Sequence, residues 1–218
     1  MTSDRLRGVI FDMDGVLVLS EPFIAAAATR MFAEKGFTVR PEEFRPFIGA
    51  GEDRFIGGVA EARAIRLDPA RDKARTYEIY DELIRGKLRP LPGVRAFVAT
   101  CRRRGLKLAV ASGSDTIKVE ANLREIALPR AYFDAIVTGS DVMRKKPAPD
   151  MFLEACRRLV LSPDSCLVIE DARNGVQAAK AAGTRCLGVT TSFSSEELSA
   201  ADWTATDLAH VPREALVW

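Results

Sequence analysis

Short apolar runs alternate with segments of helical pattern along the second half of the chain, and this alternation restricts the fold more than any other feature of the sequence. Parallel strands need long crossover connections, and a helix is the usual one. A further apolar run near the N-terminus completes the set. The predicted strands are 9–11, 108–111, 135–137, 166–169 and 186–189. We therefore predict an α/β fold in which helices cover both faces of a parallel sheet.

A stretch without strand-like runs interrupts this alternation after the first strand. Ser20 followed by Pro22 predicts the start of one helix, and Asp68 followed by Pro69 predicts the start of another. We therefore predict a core domain of residues 1–19 and 89–218 and an inserted helical cap of residues 20–88. Ligands of parallel sheets bind beyond the carboxyl ends of the strands, so an insert that leaves the first strand at that end is placed to cover the site.

Composition and charge argue against several classes of partner. The 218 residues include 32 basic and 30 acidic side chains, and no basic cluster is interleaved with aromatic residues, so a nucleic-acid partner is not expected. The N-terminus lacks a long apolar segment, so neither a secretory signal nor a membrane anchor is expected. The four cysteines form no CxxC pair and are predicted to be reduced core residues. We expect a cytoplasmic monomer.

Two carboxylates follow the first predicted strand directly. Asp12 and Asp14 are separated by one residue and followed by Gly15, which permits a sharp turn. Two acids at the end of a buried strand repel each other and resist desolvation, so their presence indicates a cation or a reaction. The segment alone leaves open a simpler role for one of them as a turn cap.

Polar residues also follow three other predicted strands. Because the carboxyl ends of parallel strands meet at one edge, we expect these residues to converge with the acid pair. They are Ser112, Gly113, Lys145, Lys146, Glu170 and Asp171. Carboxylate oxygens suit Mg²⁺, and an ammonium with a hydroxyl suits phosphoryl oxygens. Taken singly, Ser112 could cap a helix, Lys146 could be a surface charge, and the later acid pair could begin a solvated turn.

Four segments carry a resemblance to a known family. They read FDMDGVL, VASGS, KKPAPDMF and IEDARNGVQAAKAAG, in this order, between residue 9 and about residue 190. Together they resemble the four signature motifs of the haloacid dehalogenase superfamily, most closely its branch of small phosphatases and β-phosphoglucomutase-like enzymes. The resemblance implies a Rossmann-like core with a helical cap inserted after the first motif.

The resemblance also implies roles for individual residues in Mg²⁺-dependent phosphoryl transfer. Asp12 matches the nucleophile that forms an aspartyl-phosphate, and Asp14 matches the acid/base that protonates the leaving alcohol and then activates water. The implied magnesium ligands are the Asp12 carboxylate, the Asp14 backbone carbonyl, Asp171, and Glu170 through a water. Ser112 and Lys146 match the groups that hold the phosphoryl oxygens, with Lys146 preferred over Lys145 because it directly precedes the proline. The residues expected around the phosphate are Asp12, Met13, Asp14, Ser112, Gly113 and Lys146.

The cap departs from the β-phosphoglucomutase pattern. Ile24 stands where that enzyme has a histidine, and Ile48 and Glu52 stand where a lysine and an arginine flank its cap-loop glycine. An acid at position 52 does not favour a second phosphate, although Arg54 could compensate for it, or could instead pair with a neighbouring acid. The candidate substrate residues on the cap are Gly49, Glu52 and Arg54.

These departures favour a phosphatase that acts on a small phosphorylated metabolite, such as a sugar phosphate, over a sugar phosphomutase. A receiver domain of a signalling protein also combines acids, a hydroxyl and a lysine, but it is shorter and has no cap. A catalytically silent relative that binds a partner is less expected, because crowded carboxylates cost stability. A true dehalogenase has no use for Asp14, Asp171 or magnesium.

Overall fold

A parallel sheet forms the centre of the computed structural model, which describes residues 6–47 and 52–218. Within these residues the sheet has six strands, in the order β3-β2-β1-β4-β5-β6, and all neighbouring strands are parallel. The strands are β1 (Gly8–Phe11), β2 (Lys107–Ala111), β3 (Ala135–Val137), β4 (Cys166–Glu170), β5 (Arg185–Val189) and β6 (Trp203–Ala205). The predicted α/β fold is confirmed, and β1 lies between β2 and β4.

The helices follow the predicted alternation. They are α1 (Glu21–Glu34), α2 (Glu52–Ala62), α3 (Pro69–Ile84), α4 (Val94–Arg103), α5 (Thr116–Glu125), α6 (Asp150–Leu159) and α7 (Arg173–Ala181). Short 3₁₀ segments cover Pro41–Phe47, Arg130–Tyr132, Pro163–Ser165 and Arg213–Leu216. Among the described helices, none combines the length and apolar character needed to cross a bilayer.

Side-chain alternation along the strands divides the apolar interior between the two faces of the sheet. In β1, Val9 and Phe11 belong to one cluster of buried side chains and Ile10 belongs to the other, as the two-residue period of a strand requires. Phe11 packs edge-on against Phe97 and Phe133, with ring centroids 6.1 Å and 6.2 Å away. The four cysteines are buried and form no disulfide, as predicted.

The helices between β1 and α4 share one of these two clusters. Their apolar side chains, including Phe32, Phe44 and Phe55, belong to the same cluster as Val9 and Phe11. Asp68 caps α3 by accepting a hydrogen bond from the backbone N–H of Arg71 at 3.1 Å, as the Asp-Pro signal predicts. The helical character predicted for this segment is confirmed, whereas its role as a cap stays a prediction.

Candidate functional site

A cavity of about 700 Å³ lies where the carboxyl ends of β1, β2 and β4 meet. Both the strand ends and the helical segment after β1 contribute to its walls. From the strand ends and their loops come the predicted residues Asp12, Asp14, Ser112, Gly113, Lys145, Lys146, Glu170 and Asp171. From the helical segment come Glu21, Ile24, Arg45, Phe47 and Phe55. The predicted convergence of the polar strand ends is therefore present in the fold.

Lys146 connects acids at the carboxyl ends of two neighbouring strands, β1 and β4. Its Nζ lies 2.5 Å from Asp12 Oδ1 and also contacts Glu170 Oε1. Burial disfavours the ammonium, but the charges of Asp12 and Glu170 outweigh it and raise the pKa of Lys146. Burial also raises the pKa of Asp12, and Lys146 opposes this rise. The lysine thus favours the ionised form of the Asp12 carboxyl in a desolvated position.

The three buried acids of the site have a donor set that fits magnesium. One oxygen from each of Asp12, Glu170 and Asp171 lies within 4.8 Å of the others. These donors are all hard carboxylate oxygens, which Mg²⁺ prefers, and no imidazole or thiol accompanies them in this cluster. When bound there, the ion would supply positive charge to phosphoryl oxygens. The Asp14 backbone carbonyl as a further ligand stays a prediction.

The ionised form of Asp171 is also disfavoured by the fold. Burial, with the charge of Glu170 as the next cause, raises its pKa from 3.8 to about 7. Ser192, in the loop after β5, donates a hydrogen bond to Asp171 Oδ2 and partly opposes the rise. Glu170 is held differently, because its Oε2 accepts the backbone N–H groups of Asp171 and Ala172 at 3.1 and 3.2 Å.

The Asp14 carboxylate points to partners other than the acid cluster. Its Oδ2 lies 2.9 Å from Lys118 Nζ, and its Oδ1 accepts a hydrogen bond from Ser20 Oγ. Ser20 precedes α1 but makes no side-chain capping bond to that helix. The Ser20 hydroxyl therefore binds the Asp14 carboxylate instead of capping α1.

The loop after β2 contributes hydroxyls to the site, and a second lysine, from the segment after β3, lies against this loop. Ser112 is buried, and its Oγ accepts the backbone N–H of Ser114 at 3.2 Å; it is not the cap of α5, which begins after Asp115. Lys145 Nζ lies 3.3 Å from the carbonyl oxygen of Gly113. Lys146, the lysine preferred from the sequence, contacts Asp12, while Lys145 lies against the loop that carries Ser112.

Two of the predicted phosphate and substrate residues, Met13 and Arg54, do not line the cavity. Met13 is fully buried, and its carbonyl accepts the backbone N–H groups of Leu17 and Val18. The guanidinium of Arg54 is held by Glu61 at 2.6 Å and lies over the ring of Phe47, so it is directed to the surface of its own helix. Gly49 lies outside the described residues, as does the side chain of Glu52.

The cavity wall also contains residues that the sequence reasoning did not single out. They are Glu21, Arg45, Lys118, Arg173, Asn174, Ser192 and Phe193. Lys118 and Asn122 are four residues apart on α5 and both buried. A lysine on the apolar face of a predicted helix is the signal that identifies Lys118. Arg45 and Ser192 lie in irregular segments, where periodicity gives no comparable signal.

Gly15 makes a testable contribution to this arrangement. Its φ is +78°, and a Cβ atom there would lie 1.8 Å from Asp171 Oδ2. Gly36 has a similar φ of +84° but no atom within 4 Å of its virtual Cβ. We expect Gly36→Ala to cost about 1 kcal/mol through backbone strain, and Gly15→Ala to cost roughly 1–3 kcal/mol more, because Asp171 must move. Urea unfolding of both variants measures this difference, and equal losses would contradict the predicted contact.

The sheet and the acid-lined cavity place this chain among α/β proteins whose site lies at the carboxyl edge of a parallel sheet. A family model described as a haloacid dehalogenase-like hydrolase matches residues 6–183. The chain belongs to the haloacid dehalogenase-like hydrolase family, as the four motifs predict.

Individual relatives support this placement. The chain is 45% identical over 193 residues to the protein SUPPRESSOR OF QUENCHING 1 of Arabidopsis thaliana, covering 87% of this chain but only 18% of that protein. It is 34% identical to the fructose-1-phosphate phosphatase YqaB of Escherichia coli, covering 85% of this chain and 97% of that one. A crystal structure of CbbY from Rhodobacter sphaeroides with xylulose-(1,5)bisphosphate is similar with a TM-score of 0.87 and 29% identity, covering 98% of this chain and 100% of that one.

Proposed function

We propose that this hydrolase is a Mg²⁺-dependent phosphatase of a small phosphorylated metabolite and works through an aspartyl-phosphate. The observation that carries the proposal is the convergence of Asp12, Lys146, Glu170 and Asp171 in one cavity that Asp14 also lines. A nucleophilic carboxylate, a fixed ammonium and an oxygen-only metal site are the groups that stepwise phosphoryl transfer needs.

In this proposal the two aspartates after β1 have different roles. Asp12 attacks phosphorus, the ester bond breaks, and Asp14 gives a proton to the leaving oxygen. Asp14 then takes a proton from a water that attacks the aspartyl-phosphate and releases phosphate. Lys146 and the hydroxyl of Ser112 stabilise the phosphoryl oxygens during both displacements.

The helical segment supports a small, partly apolar substrate. Ile24, Phe47 and Phe55 line the same cavity as the acids, together with the cations Arg45 and Lys145. A wall of this kind suits a phosphate ester with a carbon skeleton of a few atoms. The relative named as a fructose-1-phosphate phosphatase and the similar structure that contains xylulose-(1,5)bisphosphate agree with this class. We propose that residues 20–88 act as the cap that excludes water from the reaction. That the protein is a cytoplasmic monomer stays a prediction.

Phosphate release from a panel of sugar phosphates tests the proposal. We expect Mg²⁺-dependent release of inorganic phosphate from at least one aliphatic sugar phosphate, and loss of that release when EDTA removes the metal. Each reaction should be repeated with glucose 1,6-bisphosphate as a primer, because a phosphomutase would then yield an isomerised sugar phosphate. Isomerisation in place of phosphate release would favour the mutase. The absence of any reaction, with or without the primer, would favour a silent binding protein.

A further inference from the structure

Lys118 is a buried lysine in the cavity wall, and the proposed reaction steps do not use it. It lies in the first turn of α5 and lines the same cavity as Asp12 and Lys146. Only 4% of its side chain is exposed. Burying an ammonium is costly unless charged or polar partners compensate for it. The partners of Lys118 therefore indicate its purpose.

Its partners include a proposed catalytic acid and a loop hydroxyl, and the charge of Lys118 also acts on the Glu21 carboxyl of the same cavity. Lys118 Nζ lies 2.9 Å from Asp14 Oδ2 and 3.1 Å from Ser114 Oγ. The other oxygen of Asp14 accepts a hydrogen bond from Ser20 Oγ. The carboxylate is thus held through both oxygens, by donors from α5 and from the segment before α1. Two directed bonds restrict rotation of the carboxylate more than one bond does.

A second contact ties this arrangement to the helical segment. Asn122, one helical turn after Lys118, accepts a hydrogen bond from Tyr80 Oη on α3, and Ser20 is also hydrogen-bonded to Tyr80. Both Tyr80 and Asn122 are almost fully buried. The α5 helix therefore holds Asp14 directly through Lys118 and indirectly through Tyr80 and Ser20.

We propose that Lys118 is a positioning residue that holds the Asp14 carboxylate in the orientation from which it exchanges protons with the leaving oxygen and with water. This inference rests on the proposed function. Lys146 is the ammonium that contacts Asp12 Oδ1, so the nucleophile keeps its charge partner when Lys118 is replaced. Loss of Lys118 should consequently affect the proton-dependent steps more than the attack on phosphorus.

Leaving-group dependence tests this role. The p-nitrophenolate released from p-nitrophenyl phosphate needs little protonation, whereas the alkoxide released from fructose 1-phosphate needs a proton. For Lys118→Met we expect kcat/KM to fall about 10- to 100-fold more for fructose 1-phosphate than for p-nitrophenyl phosphate, on the scale of a misplaced general acid. Lys118→Arg, which keeps a charged donor, should recover part of this selective loss.

Lys35→Met is the matched control, because Lys35 Nζ forms a comparable pair with Asp72 Oδ2 at 2.5 Å in the helical segment. It should lower stability without changing the ratio of the two kcat/KM values. Equal losses on both substrates for Lys118→Met would overturn the positioning role. The positioning role would also be overturned if Lys35→Met changed the ratio of the two kcat/KM values as much as Lys118→Met does.

A measurement without substrate separates this inference from the proposed function. Urea midpoints of Lys118→Met, Asp14→Asn and the double variant form a double-mutant cycle. We expect the double variant to lose less than the two single losses added together, because each single change leaves a buried partner uncompensated. Additive losses would overturn the pairing. Failure of the wild-type protein to release phosphate would overturn the proposed function while leaving this result intact.

Discussion

Replacement of Asp12 by asparagine abolishes turnover and phosphoenzyme formation, if the carboxylate after β1 is the nucleophile. The amide has nearly the same shape but cannot form an acyl phosphate, so we expect kcat to fall by about 10⁴-fold or more. Lys146, which lies 2.5 Å from Asp12 Oδ1, can still bind the amide oxygen. Acid quenching followed by mass spectrometry should therefore detect a phosphoryl group on the wild-type protein and none on Asp12→Asn.

Two further variants make this result specific. Asp14→Asn should still form the phosphoenzyme but should form and hydrolyse it slowly, because only the proton transfers are impaired. Asp134→Asn makes the same chemical change at a carboxylate that accepts the Leu108 backbone N–H at 2.8 Å and does not line the cavity. Its turnover should stay close to that of the wild type. Equal residual hydrolysis in Asp12→Asn and Asp14→Asn would refute the separate roles.

The sequence predicted the architecture well because the features that carry it are local. The strands β1 to β5 contain short continuous apolar runs. A strand that is buried on both faces of a sheet has this pattern, so these strands could be identified from the sequence. The strand β6, Trp203–Ala205, was not predicted, because it is short and two of its three residues are only partly buried. Its place is set by pairing with β5, which is a long-range contact.

The candidate site was predictable to the extent that its residues follow strands directly. Asp12, Ser112 and Glu170 could be placed together because parallel strands end at one edge. Lys118 and Ser192 reach the same cavity from a helix face and from a loop, so their contacts depend on how those elements pack. For Arg54 the sequence left two roles open, a contact with the substrate or a pair with a neighbouring acid, and in the structure Arg54 pairs with Glu61 on its own helix.

Asp171→Asn should stabilise the metal-free protein against unfolding and abolish its phosphatase activity. Burial and the neighbouring Glu170 raise the pKa of Asp171 from 3.8 to about 7, which means that its ionised form is disfavoured in the folded state. At neutral pH and above, this rise corresponds to at most about 4 kcal/mol of lost stability. We therefore expect the variant to gain roughly 2–4 kcal/mol in EDTA at pH 8, since the asparagine can still accept the hydrogen bond of Ser192.

The pH dependence and the response to metal distinguish this effect from general stabilisation. The gain should shrink as the pH falls from about 7 towards 4, because the wild-type carboxyl becomes protonated in the folded state and then in the unfolded state as well. Added Mg²⁺ should raise the melting temperature of the wild type but raise that of Asp171→Asn much less, because a ligand has been lost. Asp141→Asn is the control, for which we expect the opposite effect. Burial raises the pKa of Asp141, but Arg158 and the Thr138 N–H outweigh it and hold this pKa below its ordinary value. Loss of the Asp141 carboxylate should therefore destabilise the fold. A destabilised Asp171→Asn with an unchanged Mg²⁺ response would contradict the placement of this carboxylate in a crowded metal site.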